Sequence, residues 1–374
     1  MRTVSIVGAR PQFVKLAPVS RAMSCAQDQG RPAIEDFIVH TGQHYDPGLS
    51  DIFFSELDIP APGIDLNIGS GAHGEQTARM LQGIERVLLD IQPDMVVIYG
   101  DTNSTLAGAL AASKLHIPIA HIEAGLRSFD RAMPEEINRV VSDHVSDILF
   151  APTTTAMENL GNEHLSDRSI LVGDVMLDAI RFNSSLSLLK SKILDKLQLE
   201  GQRYGVATLH RAANTDSGRL RLLLDSLNRV ASDYLPVVFP VHPRTVARIS
   251  TECPDWKPGP RLMVVDPVGY LDMIRLTEIA SVVLTDSGGL QKEAFFLNTP
   301  CITLRDETEW PETVDGGGNI LVGTSQDKIH QAVGKVLSLA ADGDSKPSFS
   351  AEKYFGDGDA AGKIVAEIAD FLSR

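Results

Sequence analysis

Residues Tyr99–Arg139 read YGDTNSTLAGALAASKLHIPIAHIEAGLRSFDRAMPEEINR. The stretch begins on the last residue of an apolar strand, Met95 to Tyr99, which ends in Gly100-Asp101-Thr102. A helical pattern follows, then a second strand from Ile117 to Ile122 that ends in Glu123-Ala124-Gly125, and Pro134-Glu135-Glu136 opens another helix. Strands alternating with helices predict a parallel sheet. In an open α/β sheet, ligands bind outside the carboxyl ends of the strands. Two strands therefore each bring a carboxylate, Asp101 and Glu123, to that edge, and a helix start brings a third, Glu135. A sheet edge offers acidic residues few partners, so the arrangement reads as a site that moves protons.

The same alternation runs outward through the chain. Further strands are predicted at Thr3–Gly8, Phe37–Thr41 and Ile148–Ala151, and a second series at Tyr204–Leu209, Pro236–Pro240, Leu262–Val265, Ser281–Thr285 and Cys301–Leu304. Their near-continuous Val, Ile and Leu runs suit strands covered on both faces. At 374 residues the chain is too long for one ordinary core. Two serial arrays predict an α/β protein of two doubly wound, Rossmann-like domains facing each other across a cleft. The join is placed near Val172-Gly173-Asp174. This gives an N-terminal domain over residues 1–172 and a C-terminal one over 173–356. The tail, 357–374, reads as an amphipathic helix that crosses back onto the first domain.

Composition narrows the function. A net charge of −15 disfavours nucleic-acid binding, which needs a basic surface. An anionic small ligand would have to be held by a local cluster of cations. Cys25, Cys253 and Cys301 are scattered without metal-like spacing, so a cytoplasmic, reducing setting is expected. The N-terminus runs straight into a strand without a signal-type apolar region, and no apolar run is long enough to span a bilayer.

Three more constellations suit an anionic ligand. Ser5 to Lys15, SIVGARPQFVK, is a strand, a Gly turn and a helix start that carries Arg10 and Lys15. Backbone N–H groups and cations at a helix start suit phosphate, although an ordinary turn with solvent-facing cations would look the same. TLHRAAN and FPVHPR place His210 with Arg211, and His242 with Arg244, at strand ends of the second array. The sharpest motif is Leu284–Glu293, LTDSGGLQKE. Ser287 can cap the helix, Gly288 and Gly289 let an anion approach the backbone, and Glu293 a turn later could take two ribose hydroxyls. Neither a dinucleotide fingerprint nor a P-loop is present, and no metal spacing is found, so no cofactor is expected.

GARPQFVK, HTGQHYD, YGDTNSTLAGALAA, HIEAGLRS, PEEINR, VGDVMLDA, ATLHRAAN, PVHPR, DPVGYLDM and LTDSGGLQKEA follow one another over essentially the whole chain. In this order they resemble the non-hydrolysing UDP-N-acetylglucosamine 2-epimerase family, whose two domains have the GT-B arrangement. The resemblance implies a UDP-sugar substrate, interconversion of UDP-GlcNAc and UDP-ManNAc without metal or nicotinamide, and a homodimer. It implies catalytic roles for Asp101, Glu123, Glu135 and His210, and a diphosphate contact for Arg10. His242, Ser287, Gly288 and Gly289 match the family's UDP-phosphate site, and Glu293 its ribose contact. Arg139 and Asn138, on the helix that Glu135 opens, would help to position the sugar.

Two departures stand out. Trp310 of TEWPE stands where the family usually has an arginine, which subtracts one possible phosphate contact. Gln43 and His44 match part of a second, regulatory UDP-GlcNAc site, but the following GSGAHG (Gly69 to Gly74) offers only His73 where relatives carry several polar side chains. Weak or absent activation is therefore expected. Other readings stay open: an epimerase acting on UDP-2,3-diacetamido-glucuronate, a hydrolysing epimerase, a UDP-sugar glycosyltransferase and a nucleotide-sugar binding protein. Against the hydrolysing kind, Thr102 follows Gly100-Asp101 and HIEA stands at the second strand end.

Overall fold

The computed structural model describes the chain apart from residues 28–29, 31, 44–58, 61, 210–213, 215–217 and 342–346; the side chains of residues 10, 340 and 341 are also outside the description. The chain divides into two compact units, Met1–Ala179 with Glu352–Arg374, and Ile180–Ala351. The first division falls inside the helix Val175–Lys190. The start of that helix is tied to the tail: the Asp174 N–H donates to the Phe355 carbonyl at 2.8 Å, and the Ala361 N–H donates to Asp178 Oδ1 at 2.9 Å. The tail helix Ala360–Leu372 packs on the helix Arg10–Ser24 of the first unit.

In the first unit the strands are β1 (Arg2–Val7), β2 (Glu35–His40), β3 (Ile64–Asp65), β4 (Met95–Tyr99), β5 (Ile119–Ile122), β6 (Ile148–Ala151) and β7 (Ser169–Leu171). They form a sheet in the order β3-β2-β1-β4-β5-β6-β7, with every pairing parallel. Strands β4, β5 and β6 are buried along their whole length, as an all-parallel sheet requires. In the second unit, β8 (Gly205–Thr208), β9 (Val237–Pro240), β10 (Leu262–Val265), β11 (Val282–Thr285), β12 (Cys301–Thr303) and β13 (Asn319–Leu321) run in the order β10-β9-β8-β11-β12-β13. Both sheets are thus doubly wound. Each reverses direction at one pair, β1/β4 in the first and β8/β11 in the second, and that reversal is where such sheets bind ligands. Gly8–Lys15 and Gly100-Asp101 follow β1 and β4; Asp286 and Ser287 follow β11.

Candidate active site

At the carboxyl edge of the first sheet, Lys15 pairs with Glu123, and Arg139 pairs with both Asp101 and Glu136. Lys15, in the second turn of the Arg10 helix, reaches Glu123 at the end of β5, and its ammonium donates to Oε2. Gly100 makes this approach possible. It adopts φ +63°, and a Cβ there would stand 3.0 Å from Lys15 Nζ and 3.2 Å from Glu123 Oε2. Both partners are buried. Glu123 itself adopts φ +69°, a left-handed backbone that costs a non-glycine residue energy and persists where the surroundings enforce it. Beside this pair, Arg139 Nη2 donates to Asp101 Oδ2, and Arg139 Nη1 lies 3.3 Å from Glu136 Oε2. Asn138 Nδ2 holds the Asp101 carbonyl at 3.0 Å.

The helix Pro134–Val145 turns Glu136, Asn138, Arg139 and Asp143 inward. Glu135, in its first turn, is exposed. Glu136 is the inward acid. Its carboxylate accepts from the Ser128 N–H (2.8 Å) and hydroxyl (2.9 Å) and from the Phe129 N–H (2.9 Å), which pins the loop after Arg127. Under the strand ends lies a further buried network. His121 Nδ1 is 2.7 Å from Asp143 Oδ1, and Asp143 Oδ2 accepts the Gly125 N–H at 3.1 Å and pairs with Arg127 at 2.7 Å. Burial pushes Asp143 up, but hydrogen bonds and charge from His121 and Arg127 outweigh it and hold the carboxyl below its ordinary value. Arg127 also grips Glu163 through two hydrogen bonds, 2.6 and 2.7 Å.

Gln43 Oε1 accepts from the Ser104 N–H (3.1 Å) and hydroxyl (2.7 Å). Gln76 donates to the Gly69 carbonyl at 2.8 Å, and Asn103 joins Gln76 (2.9 Å) to His73 (3.1 Å). His44, like His210 and Arg211, lies outside the described residues, as does the side chain of Arg10.

In the second unit, Ser287 caps the helix Gly288–Phe296 by accepting from the Leu290 N–H at 3.3 Å. A Cβ at Gly288 would still lie 3.4 Å from Glu309 Oε2 and 4.0 Å from Arg305 Nη1 and Trp310 Nε1, so its bareness leaves room at the helix start. Asp286 is fully buried beneath this turn, and Asn214 Nδ2 donates to its Oδ2 at 3.2 Å. Glu293 accepts from the Tyr270 hydroxyl at 3.2 Å. His242 caps the helix Pro243–Glu252, its Nδ1 accepting the Arg244 N–H at 3.2 Å. Trp310 takes the Lys292 ammonium over its ring, 3.7 Å from the centroid, while Arg305 and Glu309 form a two-pronged pair at 2.9 and 3.0 Å. Helix start, bare glycine and a flanking carboxylate make a cradle suited to an anion with a polyol beside it.

The sequence reading missed the Lys15–Glu123 pairing, Glu136, and the His121–Asp143–Arg127–Glu163 network. A signal existed for the network: a histidine inside the apolar strand IAHI, and an aspartate one helical turn beyond Arg139. Polar residues in core positions must find partners. Among the described residues, no group of three or more His, Cys, Asp or Glu side chains is arranged to hold a metal ion. No helix among them is long and apolar enough to cross a membrane.

A family model described as UDP-N-acetylglucosamine 2-epimerase matches residues 27–369. A UDP-N-acetylglucosamine 2-epimerase homolog from Methanococcus maripaludis is 49% identical over 378 residues, covering 98% of each chain. A UDP-2,3-diacetamido-2,3-dideoxy-D-glucuronate 2-epimerase from Pseudomonas aeruginosa is 46% identical, covering 99% of each. Among solved structures, the Methanocaldococcus jannaschii UDP-GlcNAc 2-epimerase in complex with UDP-GlcNAc and UDP superposes with a TM-score of 0.86 at 42% identity, over 99% of this chain and 100% of that one. A match of this extent, on two doubly wound parallel sheets, places the chain in the UDP-N-acetylglucosamine 2-epimerase family, as an isomerase.

Proposed function

We propose that the protein interconverts UDP-GlcNAc and UDP-ManNAc by eliminating UDP and adding it back. The observation that carries the reading is the pair of strand-end carboxylates, Glu123 bound to Lys15 and Asp101 bound to Arg139. Carbon 2 of the sugar has no adjacent carbonyl, so its hydrogen is not acidic. If the bond from carbon 1 to the diphosphate oxygen breaks first, UDP departs with the electron pair and the cationic centre acidifies carbon 2. A carboxylate takes the proton, leaving 2-acetamidoglucal. An acid then protonates the opposite face of carbon 2 while UDP bonds again to carbon 1. Inversion needs groups serving both faces, hence two carboxylates.

Asp101 and Glu123 are assigned the proton transfers, worth ~10²–10⁴-fold. Glu135 is assigned to the sugar or a share of the acid role, and Arg10 and His210 to the departing diphosphate. Ser287, Gly288, Gly289 and His242 are assigned to the UDP phosphates and Glu293 to the ribose.

The test is incubation of the pure protein with UDP-GlcNAc in D₂O, followed by NMR at carbon 2. Deuterium should enter carbon 2 of both epimers; epimerisation with the original hydrogen retained would refute the elimination. The 46% identity to the Pseudomonas aeruginosa enzyme over 99% of the chain supports a second reading, a UDP-2,3-diacetamido-glucuronate substrate. Comparing kcat/KM for the two sugars decides between them.

A further inference from the structure

The strand ends that carry Asp101 and Glu123 are irregular: Gly100, Glu123 and Gly125 all have positive φ, at 63°, 69° and 82°. Regular ladder bonds cannot hold such turns, so other contacts must. The Gly100 peptide is gripped by β5 from both sides. Its N–H donates to the Ile122 carbonyl at 3.0 Å, and its carbonyl, which directly precedes Asp101, lies 2.7 Å from His121 Nε2. A carbonyl can only accept, so Nε2 carries the hydrogen. Nδ1 faces the Asp143 carboxylate, which also takes the Gly125 N–H two residues beyond Glu123. Asp143 shares its helix with Arg139 and Asn138, which hold the Asp101 side chain and carbonyl. His121 and Asp143 are both fully buried, so water cannot replace a lost bond.

We propose that His121 and Asp143 form a buried positioning pair that locks the two carboxylate-bearing strand ends to the Pro134 helix, and that this lock sets the partition between same-face return and inversion at carbon 2. The proposal rests on the elimination reading given above. Two groups that address opposite faces of one carbon must be held relative to each other. A misplacement of ~1 Å can cost about 10²-fold in rate. A base that has taken the proton can return an exchanged one to the same face without help from its partner. Inversion needs both groups in place, so loosening the lock should slow inversion more than exchange.

The experiment measures two rates in D₂O on UDP-GlcNAc: deuterium entering carbon 2 of recovered starting material, and net epimerisation. Their ratio compares two outcomes at one site and is indifferent to how much of a sample is folded. Asp143→Asn keeps the shape and removes the charge. Its inversion rate should fall by about 10²-fold with KM within about threefold, and the ratio should rise about tenfold or more. Glu163→Gln, at the half-exposed outer end of the network, should shift the ratio the same way by less, and serves if Asp143→Asn does not fold. A pair that only supports the fold would lower the melting temperature and leave the ratio alone. An unchanged ratio in the variant that folds overturns the proposal while the elimination reading stands. Wild-type epimerisation without deuterium uptake would bring down both.

Discussion

Glu123→Gln keeps the size of the side chain and removes its charge, which leaves Lys15 buried without an anion. Lys15 is 9% and Glu123 7% exposed, so solvent cannot rescue the ammonium. Removing one member of such a pair costs about 3–5 kcal/mol. In a domain of roughly 200 residues each kcal/mol moves the melting temperature by about 2–4 °C, which gives a drop of about 6–20 °C. Asp101→Asn is the internal comparison. The Asp101 side chain is 29% exposed, water can compensate, and the loss should stay within about 1–3 kcal/mol. The double variant Lys15→Met/Glu123→Gln removes both charges together and should recover most of the stability lost by Glu123→Gln. Activity should part company with stability. Both single carboxylate variants should lose about 10²-fold or more in kcat, and the double variant should remain inactive. Scanning calorimetry and initial rates read the two quantities separately. A Glu123→Gln protein that melts within 2 °C of wild type (about 1 kcal/mol or less), or a double variant no more stable than the single, would refute the claim that this pair is a buried, mutually dependent unit.

Other outcomes follow from the same structure. Burial pushes Asp36 up to about 6 against the pull of hydrogen bonds from Thr3 and Ser5; the residue keeps some exposure, but Oδ2 is buried without a hydrogen bond. Because its folded pKa is raised, between about pH 4 and 6 the unfolded chain has released a proton that the folded one keeps, so stability should fall with rising pH by at most about 3 kcal/mol and stay down above that window. Asp36→Asn should flatten this slope in melts run across the range, and an unchanged slope would disprove it. Ser287→Ala and Glu293→Ala should each weaken UDP binding by about 1–3 kcal/mol in calorimetry, and unchanged affinity in both would move the nucleotide site elsewhere. Starting from pure UDP-ManNAc, epimerisation should proceed without a lag, since the Gln43 side chain is already engaged by Ser104; a lag abolished by a trace of UDP-GlcNAc would show a working regulatory site.

The ten strands with clear Val, Ile and Leu runs were legible because a buried parallel strand announces itself by composition. Three were not: β3, β7 and β13. They are two or three residues long and lie at sheet edges. An edge strand so short shows no period and is defined only by the neighbour it pairs with. The Pro134 helix was read with its correct bounds from Pro at its first position. Its inward face was legible only in part: Glu135, Asn138 and Arg139 share one flank by helical spacing, and Asn138 and Arg139 are buried, but Glu135 is exposed and Glu136 is the buried acid. The phase of a polar helix at its N-terminus is set by what the loop before it needs, and here Ser128 and Phe129 need the Glu136 carboxylate.

The same limit explains the cations. Sequence placed Asp101 and Glu123 at strand ends, but their partners lie 38 and 108 residues away. By local pattern, Lys15 follows a Gly turn after β1 and is either a phosphate ligand or a solvent-facing cation. It finds Glu123 because β4 lies between β1 and β5 in the sheet and presents a glycine where the lysine must pass. Neither condition can be stated until the strand order is known. Local pattern thus names the groups that carry charge to the edge, and topology decides which charges meet. The buried histidine of IAHI illustrates the step between the two. As a polar residue in a core strand it demands partners, and only the pairing of β4 with β5 and the packing of the Pro134 helix bring it a carbonyl and a carboxylate at once.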